Sequence, residues 1–190
     1  MRTAIVVMLL ASGASLTAQA PEPPGPWVVD VRGATSGLPS DTAFYPPIST
    51  ETLVPSRAFG GEAGAHVYLL TLGPSRVGVG ASYLRVRGTT AGVAATFTTV
   101  APQISFNFGS KDGWSYLSAG FGQGSIQTRV DQQTGTQTTD SGNLGSTNFG
   151  GGARWFVSSH VGVGFDVRWH RLSGTPGATL VAVAVGFSVH

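Results

Sequence analysis

His66, Asp166 and His170, set beside the hydroxyls of Ser82, Ser105 and Ser118, are the raw material for a nucleophile, a base and its orienting carboxylate. Such a set would cut an acyl or a peptide bond. Their positions do not single out that chemistry, because each lies in a different stretch or inside a run of alternating polar and apolar residues. An internal ion network accounts for them with fewer assumptions. The 4 histidines show no metal-ligand spacing and cysteine is absent, so no metal is expected. Gly120-Phe121-Gly122-Gln123-Gly124 is a glycine string with no helix after it, which argues against a phosphate loop. No motif asks for a cofactor. No Lys/Arg run or basic-aromatic cluster suggests nucleic acid.

The elements that must position these residues are strands. Residues 161–172 read VGVGFDVRWHRL: Val161, Val163, Phe165, Val167 and Trp169 share one face, and Gly162, Gly164, Asp166, Arg168 and His170 share the other. Similar segments recur at 27–33, 62–72, 76–87, 98–108, 114–130, 148–157 and 178–190. Connectors after the first, third, fifth and seventh segments are polar and mostly long. Those after the second, fourth and sixth are tight turns at Gly73-Pro74-Ser75, Lys111-Asp112-Gly113 and Ser158-Ser159-His160. An even number of antiparallel strands with long loops at one end and short turns at the other is the outer-membrane barrel pattern. The expected fold is therefore all-β, an eight-stranded antiparallel up-and-down transmembrane barrel with its short turns in the periplasm.

The N-terminus agrees with that destination. Arg2, an apolar run from Ala4 to Leu10 and small residues up to Ala20 have the layout of a secretory signal peptide, so residues 1–20 are expected to be removed and 21–190 to form the barrel. Charged residues are only 11% of the chain and Gly numbers 28. No segment after residue 20 is apolar for long enough to cross a bilayer as a helix. The formal charge of +2 and pI near 9.4 give only a weak argument for anionic surfaces.

Lipid outside makes an energetic demand, since a Lys or Arg at the midplane costs about 2–4 kcal/mol. The apolar faces of the first, second, fourth and eighth segments, and of the sixth–seventh hairpin through Trp169, are free of charge; Arg85 and Arg87 break the rule in the third segment, but only beyond Tyr83. Trp27, Phe108, Trp155 and Phe187 would form the periplasmic aromatic girdle, with Tyr83 and Trp169 in the outer one. The inner face would carry Asp30, Arg32, Glu62, His66, Gln103, Asn107, Arg154, Asp166, Arg168 and His170, separated by glycines that make room for them. Hairpin registers follow from turn length. A three-residue turn at 158–160 puts Arg154 opposite Gly164 and Gly152 opposite Asp166, and suggests that Arg154 bonds Asp166. A three-residue turn at 73–75 pairs Leu69 with Val79 and Val67 with Ala81. A two-residue turn at 112–113, or a four-residue one, sets Phe106 and Ile104 against Leu117, Ala119 and Phe121. Trp114, Tyr116, Leu70 and Phe156 fall on the polar face near segment ends and read as end effects.

The segments RVGVGASYLRVRG, APQISFNFGSKDGWSYLSAGFG and NFGGGARWFVSSHVGVGFDVRWHRL resemble small eight-stranded outer-membrane proteins, the OmpX, OmpW and OmpA-barrel group, over roughly residues 27–190. The resemblance implies residence in a bacterial outer membrane, contact with its lipid and lipopolysaccharide, delivery by the barrel-assembly machinery and a monomeric state. Members of the group usually finish on an aromatic residue, whereas here His190 stands last, after the alternating Phe187 and Val189. The expected role is structural or a surface-loop interaction, with a filled polar lumen, no wide pore and no enzyme activity. A lipid A deacylase-like enzyme is the alternative, but the His-x-Ser pattern of that group is missing where Arg171 and Leu172 follow His170. Gly25-Pro26-Trp27 suggests a third reading, a secreted lipocalin-like binder, against which stand the sorted loops and the charged inner face. Two connectors could carry an interaction: 34–59, with Phe44, Tyr45 and Phe59 available for contacts, and the polar 131–146, expected as a solvated loop.

Overall fold

The computed structural model describes residues 25–45, 54–110, 112–132, 135–174 and 177–190. The signal-peptide expectation for residues 1–20 lies outside them. Among the described residues nine strands follow one another: β1 (Trp27–Gly37), β2 (Arg57–Leu72), β3 (Ser75–Thr90), β4 (Val93–Ser110), β5 (Gly113–Gln132), β6 (Gly135–Asp140), β7 (Leu144–Phe156), β8 (Val161–Leu172) and β9 (Ala178–Val189). Every pairing is antiparallel. Eight strands close a ring, because β1 pairs β9 and β4 pairs β5. Closure leaves the ring without an edge, the condition for crossing lipid with strands. The ninth, β6, lies outside the ring and pairs with the far part of β5.

The wall is taller than the sequence segments imply. β3 and β4 run on to Thr90 and Val93, and the loop expected around residues 88–95 is a two-residue turn at Ala91-Gly92, both at positive φ (47° and 80°). That is the backbone shape of a tight hairpin whose twist matches its strands. β5 likewise reaches Gln132, pairs with β7 from Gly113 to Gly124 and with β6 from Gln127 to Gln132. The polar stretch 131–146, expected as a solvated loop, is therefore largely a β-hairpin. Polar strands can pair there because both faces of β6 meet water and only the backbone bonds matter.

The β7–β8 register is the one turn length gave: Trp155 opposes Val163, Ala153 Phe165, Phe149 Trp169, Arg154 Gly164 and Gly152 Asp166. In the β4–β5 hairpin Ser110 pairs with Gly113, so the turn sits one residue earlier than expected, and Phe106 meets Leu117 and Ile104 meets Ala119. The β2–β3 hairpin corrects the expected pairs. Leu72 pairs with Ser75 across a two-residue turn, and an irregularity between Tyr68 and Leu70 then resets the ladder, so Val67 faces Val79 and Ala65 faces Ala81. The extra residue is a β-bulge, which bends the strand and turns Leu70 outward beside Leu69.

Outside the ring the apolar belt is continuous. Val161, Val163, Phe165, Val167 and Trp169 on β8 are all exposed, next to Val181, Val183, Val185 and Phe187 on β9. The nine residues from Val161 to Trp169 match the 9–11 that a tilted strand needs to cross a bilayer. Trp27, Phe108, Trp155 and Phe187 are exposed toward the end bearing the short turns, Tyr83 and Trp169 toward the other. The first is the turn end of the barrel and the second its loop end. Beyond Tyr83 the pattern inverts. Leu84, Val86, Phe97, Ile126 and Leu172 point inward and are buried, whereas Arg85, Arg87, Gln127 and Arg171, their neighbours in the chain, face out.

Candidate functional site

Each strand of the ring sends every second side chain into the lumen, so the lumen is where charge and hydroxyl chemistry collect. Asp30, Arg32, Glu62, His66, Gln103, Asn107, Arg154, Asp166, Arg168 and His170 are all buried there. They form a layered filling.

The middle layer is ionic, with Asp30 as its hub. Arg154 donates to it through Nε (2.9 Å to Oδ1) and Nη2 (2.6 Å to Oδ2), and Ser188 Oγ donates at 2.6 Å. Arg32 adds an ion pair at 2.8 Å and reaches Glu62 at 3.4 Å. The paired, forked bond from Arg154 fixes orientation as well as charge. Asp166 belongs to a second group. Arg168 donates to both its oxygens (3.2 and 2.9 Å), Tyr116 Oη donates at 2.7 Å, and Arg168 also bonds Asn148 (3.0 Å) and Ser118 (2.9 Å). The Arg154 guanidinium lies 3.9 Å from the Tyr116 ring centroid and links the two groups.

The expected Arg154–Asp166 bond is thus corrected. Asp166 is buried as its strand parity requires, but its partners are Arg168 and Tyr116, and Arg154 crosses the lumen to Asp30 on β1. An extended arginine in a narrow barrel reaches the opposite wall, past the neighbouring strand that hairpin register places beside it. Gly164 does make room for it, since a Cβ there would stand 3.3 Å from Arg154 Cγ. Gly152, opposite Asp166, admits the Tyr116 hydroxyl, 2.9 Å from where a Cβ would be.

The serines considered as nucleophiles are held in bonds of other kinds. Ser82 Oγ accepts from Gln103 (2.7 Å), Ser105 Oγ from Asn107 (2.8 Å) and Ser118 Oγ from Arg168 (2.9 Å). His66 Nε2 is bonded to Gln103 at 3.2 Å, and Gln103 also donates to Asn148 at 2.9 Å. His170 packs edge-on against Phe97, with ring centroids 5.7 Å apart, and its ring nitrogens have no partner among the described residues. Among those residues no group of His, Asp and Glu is arranged to hold a metal ion.

Two further layers were not foreseen. At the turn end Val28, Tyr68 and Trp114 are buried with Phe156 packed on them, and Trp114 meets Tyr68 and Phe156 edge-on at 5.6 and 5.1 Å. Tyr68 ties this floor to the polar layer through Asn107 (3.1 Å). Trp114, Tyr116 and Phe156, read from sequence as end effects, are thus lumenal; an aromatic on a polar face was the available signal. At the loop end Leu84, Val86, Phe97, Ile126, Leu172 and Leu180 form an apolar core. Phe44 and Tyr45, expected to be available for surface contacts, are buried in it (5% and 0% exposed), while Phe59 does face outward from β2. Tyr45 donates to the Pro39 carbonyl at 2.7 Å and Thr128 donates to the Phe44 carbonyl at 3.0 Å, which pins this part of the connector inside the mouth. Burial pushes the Tyr45 phenol up to about 12, so it stays a donor.

No family model and no curated protein matches the chain. Solved structures do. Neisserial surface protein A superposes with a TM-score of 0.61 at 13% identity, covering 87% of this chain and 97% of that one. The attachment invasion locus protein Ail of Yersinia pestis gives 0.54 at 11% identity, covering 87% and 98%. The fold is that of the small eight-stranded outer-membrane barrels. At such identities the likeness extends to the architecture and not to any activity of those proteins.

Proposed function

We propose that the protein resides in a bacterial outer membrane, exported through residues 1–20, delivered by the barrel-assembly machinery and monomeric there. Its barrel is a filled scaffold, neither a wide pore nor an enzyme, that presents a loop-end surface to the outside. The observation that carries this reading is the lumen filled in series by aromatic, ionic and aliphatic layers, each contributed by several strands. An ion path would have to displace the Arg154–Asp30 pair and the Phe44–Tyr45 plug together. The belt around the wall supports the membrane setting, because so continuous an exposed apolar surface is stable only against lipid. Engagement of Ser82, Ser105 and Ser118 by amides and a guanidinium, with no histidine on any of them, favours structure over catalysis.

Planar-bilayer recording of the purified barrel tests the reading, and the expected result is an absence of large stable openings. Expression should leave the lipid A mass unchanged, and the folded protein should extract with detergent and shift in gel mobility on boiling. Large reproducible conductance steps would contradict the filled scaffold.

A further inference from the structure

His190 follows the outward Phe187 and Val189 and turns its ring the other way, onto the aromatic floor at the turn end. It meets Phe156 edge-on at 4.2 Å and Trp114 at 5.5 Å between ring centroids. Gly25 makes room for it, since a Cβ there would stand 2.6 Å from His190 Nδ1 and displace the ring. The backbone fixes the position: His190 N donates to the His160 carbonyl at 3.1 Å, which joins the end of β9 to the turn between β7 and β8. That bond sets two imidazoles next to each other, with centroids 6.3 Å apart and planes 30° off parallel. His160 is exposed, and its Nδ1 is bonded to Ser159 Oγ at 2.8 Å.

The side chains that surround His190 bring no carboxylate to it. Gly25 precedes β1, Trp114 belongs to β5 and Phe156 to β7, and the β7–β8 turn supplies His160. Asp112, in the β4–β5 turn, meets this cluster through its backbone carbonyl, which accepts from Phe156 N at 2.9 Å. Arg154 lies on the lumenal side of the floor, 5.9 Å from the Trp114 ring, and is committed to Asp30. Neither histidine has an ion pair among the described residues. Histidine is the side chain that changes charge between pH 5 and 8 without help from its surroundings. Burial against the floor, and then the neighbouring His160, hold the His190 imidazole below the ordinary histidine range.

We propose that His160 and His190 form a pH-operated latch on the lumen floor, closed while both rings are neutral and opened when both are charged. Two imidazoliums at this spacing repel, with no acid between them to offset the charge. The sign follows from the seat of His190. Its contact with the floor is complete above the ordinary histidine value of 6.5 and weakens as pH falls below it. The Arg154–Asp30 layer behind the floor takes no part in the switch, so acid unseats His190 and loosens the end of β9 without opening a pore. The latch does not depend on the outer-membrane reading, which only makes the periplasm the side whose pH is sensed.

NMR of the full barrel in bilayer discs, with histidine, tryptophan and arginine side chains isotope-labelled, tests the latch between about pH 8 and about pH 5. The Trp114 indole signal should move together with His190, with a midpoint below 6.5. The through-space contact between the two rings should be lost at the acid end and return on neutralisation. H190F keeps an aromatic ring without a titrating proton and should abolish the movement of Trp114. H160Q should keep the contact at neutral pH and raise the His190 midpoint, because its neighbour no longer opposes the charge. Boiling-dependent mobility reports whether each variant is folded, and H160Q carries the test alone if H190F is not. The Arg154 guanidinium signals should stay where they are; movement over the same range would mean that the whole lumen responds and would overturn a local latch. A Trp114 signal that does not move, or moves equally in H190F, would overturn it as well. So would a His190 that takes up its proton with the ring contact intact, or an H160Q midpoint that is unchanged.

Discussion

Below Tyr83 and above it, the same strands obey opposite rules. In β3 the stretch Val77, Val79, Ala81, Tyr83 turns its apolar side chains outward and Gly78, Gly80 and Ser82 inward. In the next four residues Leu84 and Val86 turn inward while Arg85 and Arg87 turn outward. Neighbouring strands make the same exchange, from Val100 to Phe97 on β4, Phe121 to Ile126 on β5, Trp169 to Leu172 on β8 and Val181 to Leu180 on β9. Each half thus puts apolar groups against the less polar neighbour it has. In the belt the outside is lipid, and the lumen can hold charge because each charge is paired there, along a strand as in Arg168–Asp166 or across the ring as in Arg154–Asp30. Above the belt the outside is water, and the barrel becomes a small soluble domain with an aliphatic core capped by Phe44 and Tyr45.

The sharpest way to break this contrast is to remove the ionic hub. Asp30→Ala leaves Arg154 and Arg32 buried without the carboxylate they share, and should cost about 3–5 kcal/mol in urea unfolding from lipid vesicles. A matched pair of outward substitutions comes next. Val167→Arg, in the belt, should cost about 2–4 kcal/mol, whereas Thr98→Arg, above the rim beside Arg85, should stay within about 0.5 kcal/mol in the same assay. Gly92→Ala forces an alanine to φ near +80° at the β3–β4 turn and should lose about 1 kcal/mol, read as faster cleavage of the hairpin by protease. The smallest effect belongs to Thr128→Val. Losing the bond to the Phe44 carbonyl costs about 1 kcal/mol or less and should show as increased hydrogen exchange at residues 42–45, with the belt unaffected.

Fold and lumen were legible because strict alternation fixes parity, and parity alone assigns Asp30, Arg154 and Asp166 to the inside. Partners were not legible. Arg154 could be paired on paper only with what lies on the next strand, and the bond to Asp30 depends on how far a guanidinium reaches across a closed ring. The bulge between Tyr68 and Leu70 was hidden because a two-residue turn plus one extra residue preserves the parity of Val67 and Ala65 that a three-residue turn also gives. Strand ends were short for a different reason: polar residues such as those of GTQTTD in β6 carry no periodic signal when both faces meet water. The boundary itself was written in adjacent apolar pairs, Tyr83-Leu84 and Leu180-Val181, which break alternation where the surroundings change. Arg85 and Arg87 showed only the outward half of that change.

Because the chain has no cysteine, single cysteines can carry a spin label without background. Labels at the outward positions of β3, residues 77, 79, 81, 83, 85, 87 and 89, can be compared for collision with oxygen, which favours lipid, and with a water-soluble nickel chelate. Oxygen should dominate from 77 through 83 and nickel from 85 onward, a crossover within one outward step. Nickel access at 79 and 81, or oxygen dominance persisting through 87, would contradict the inversion at Tyr83.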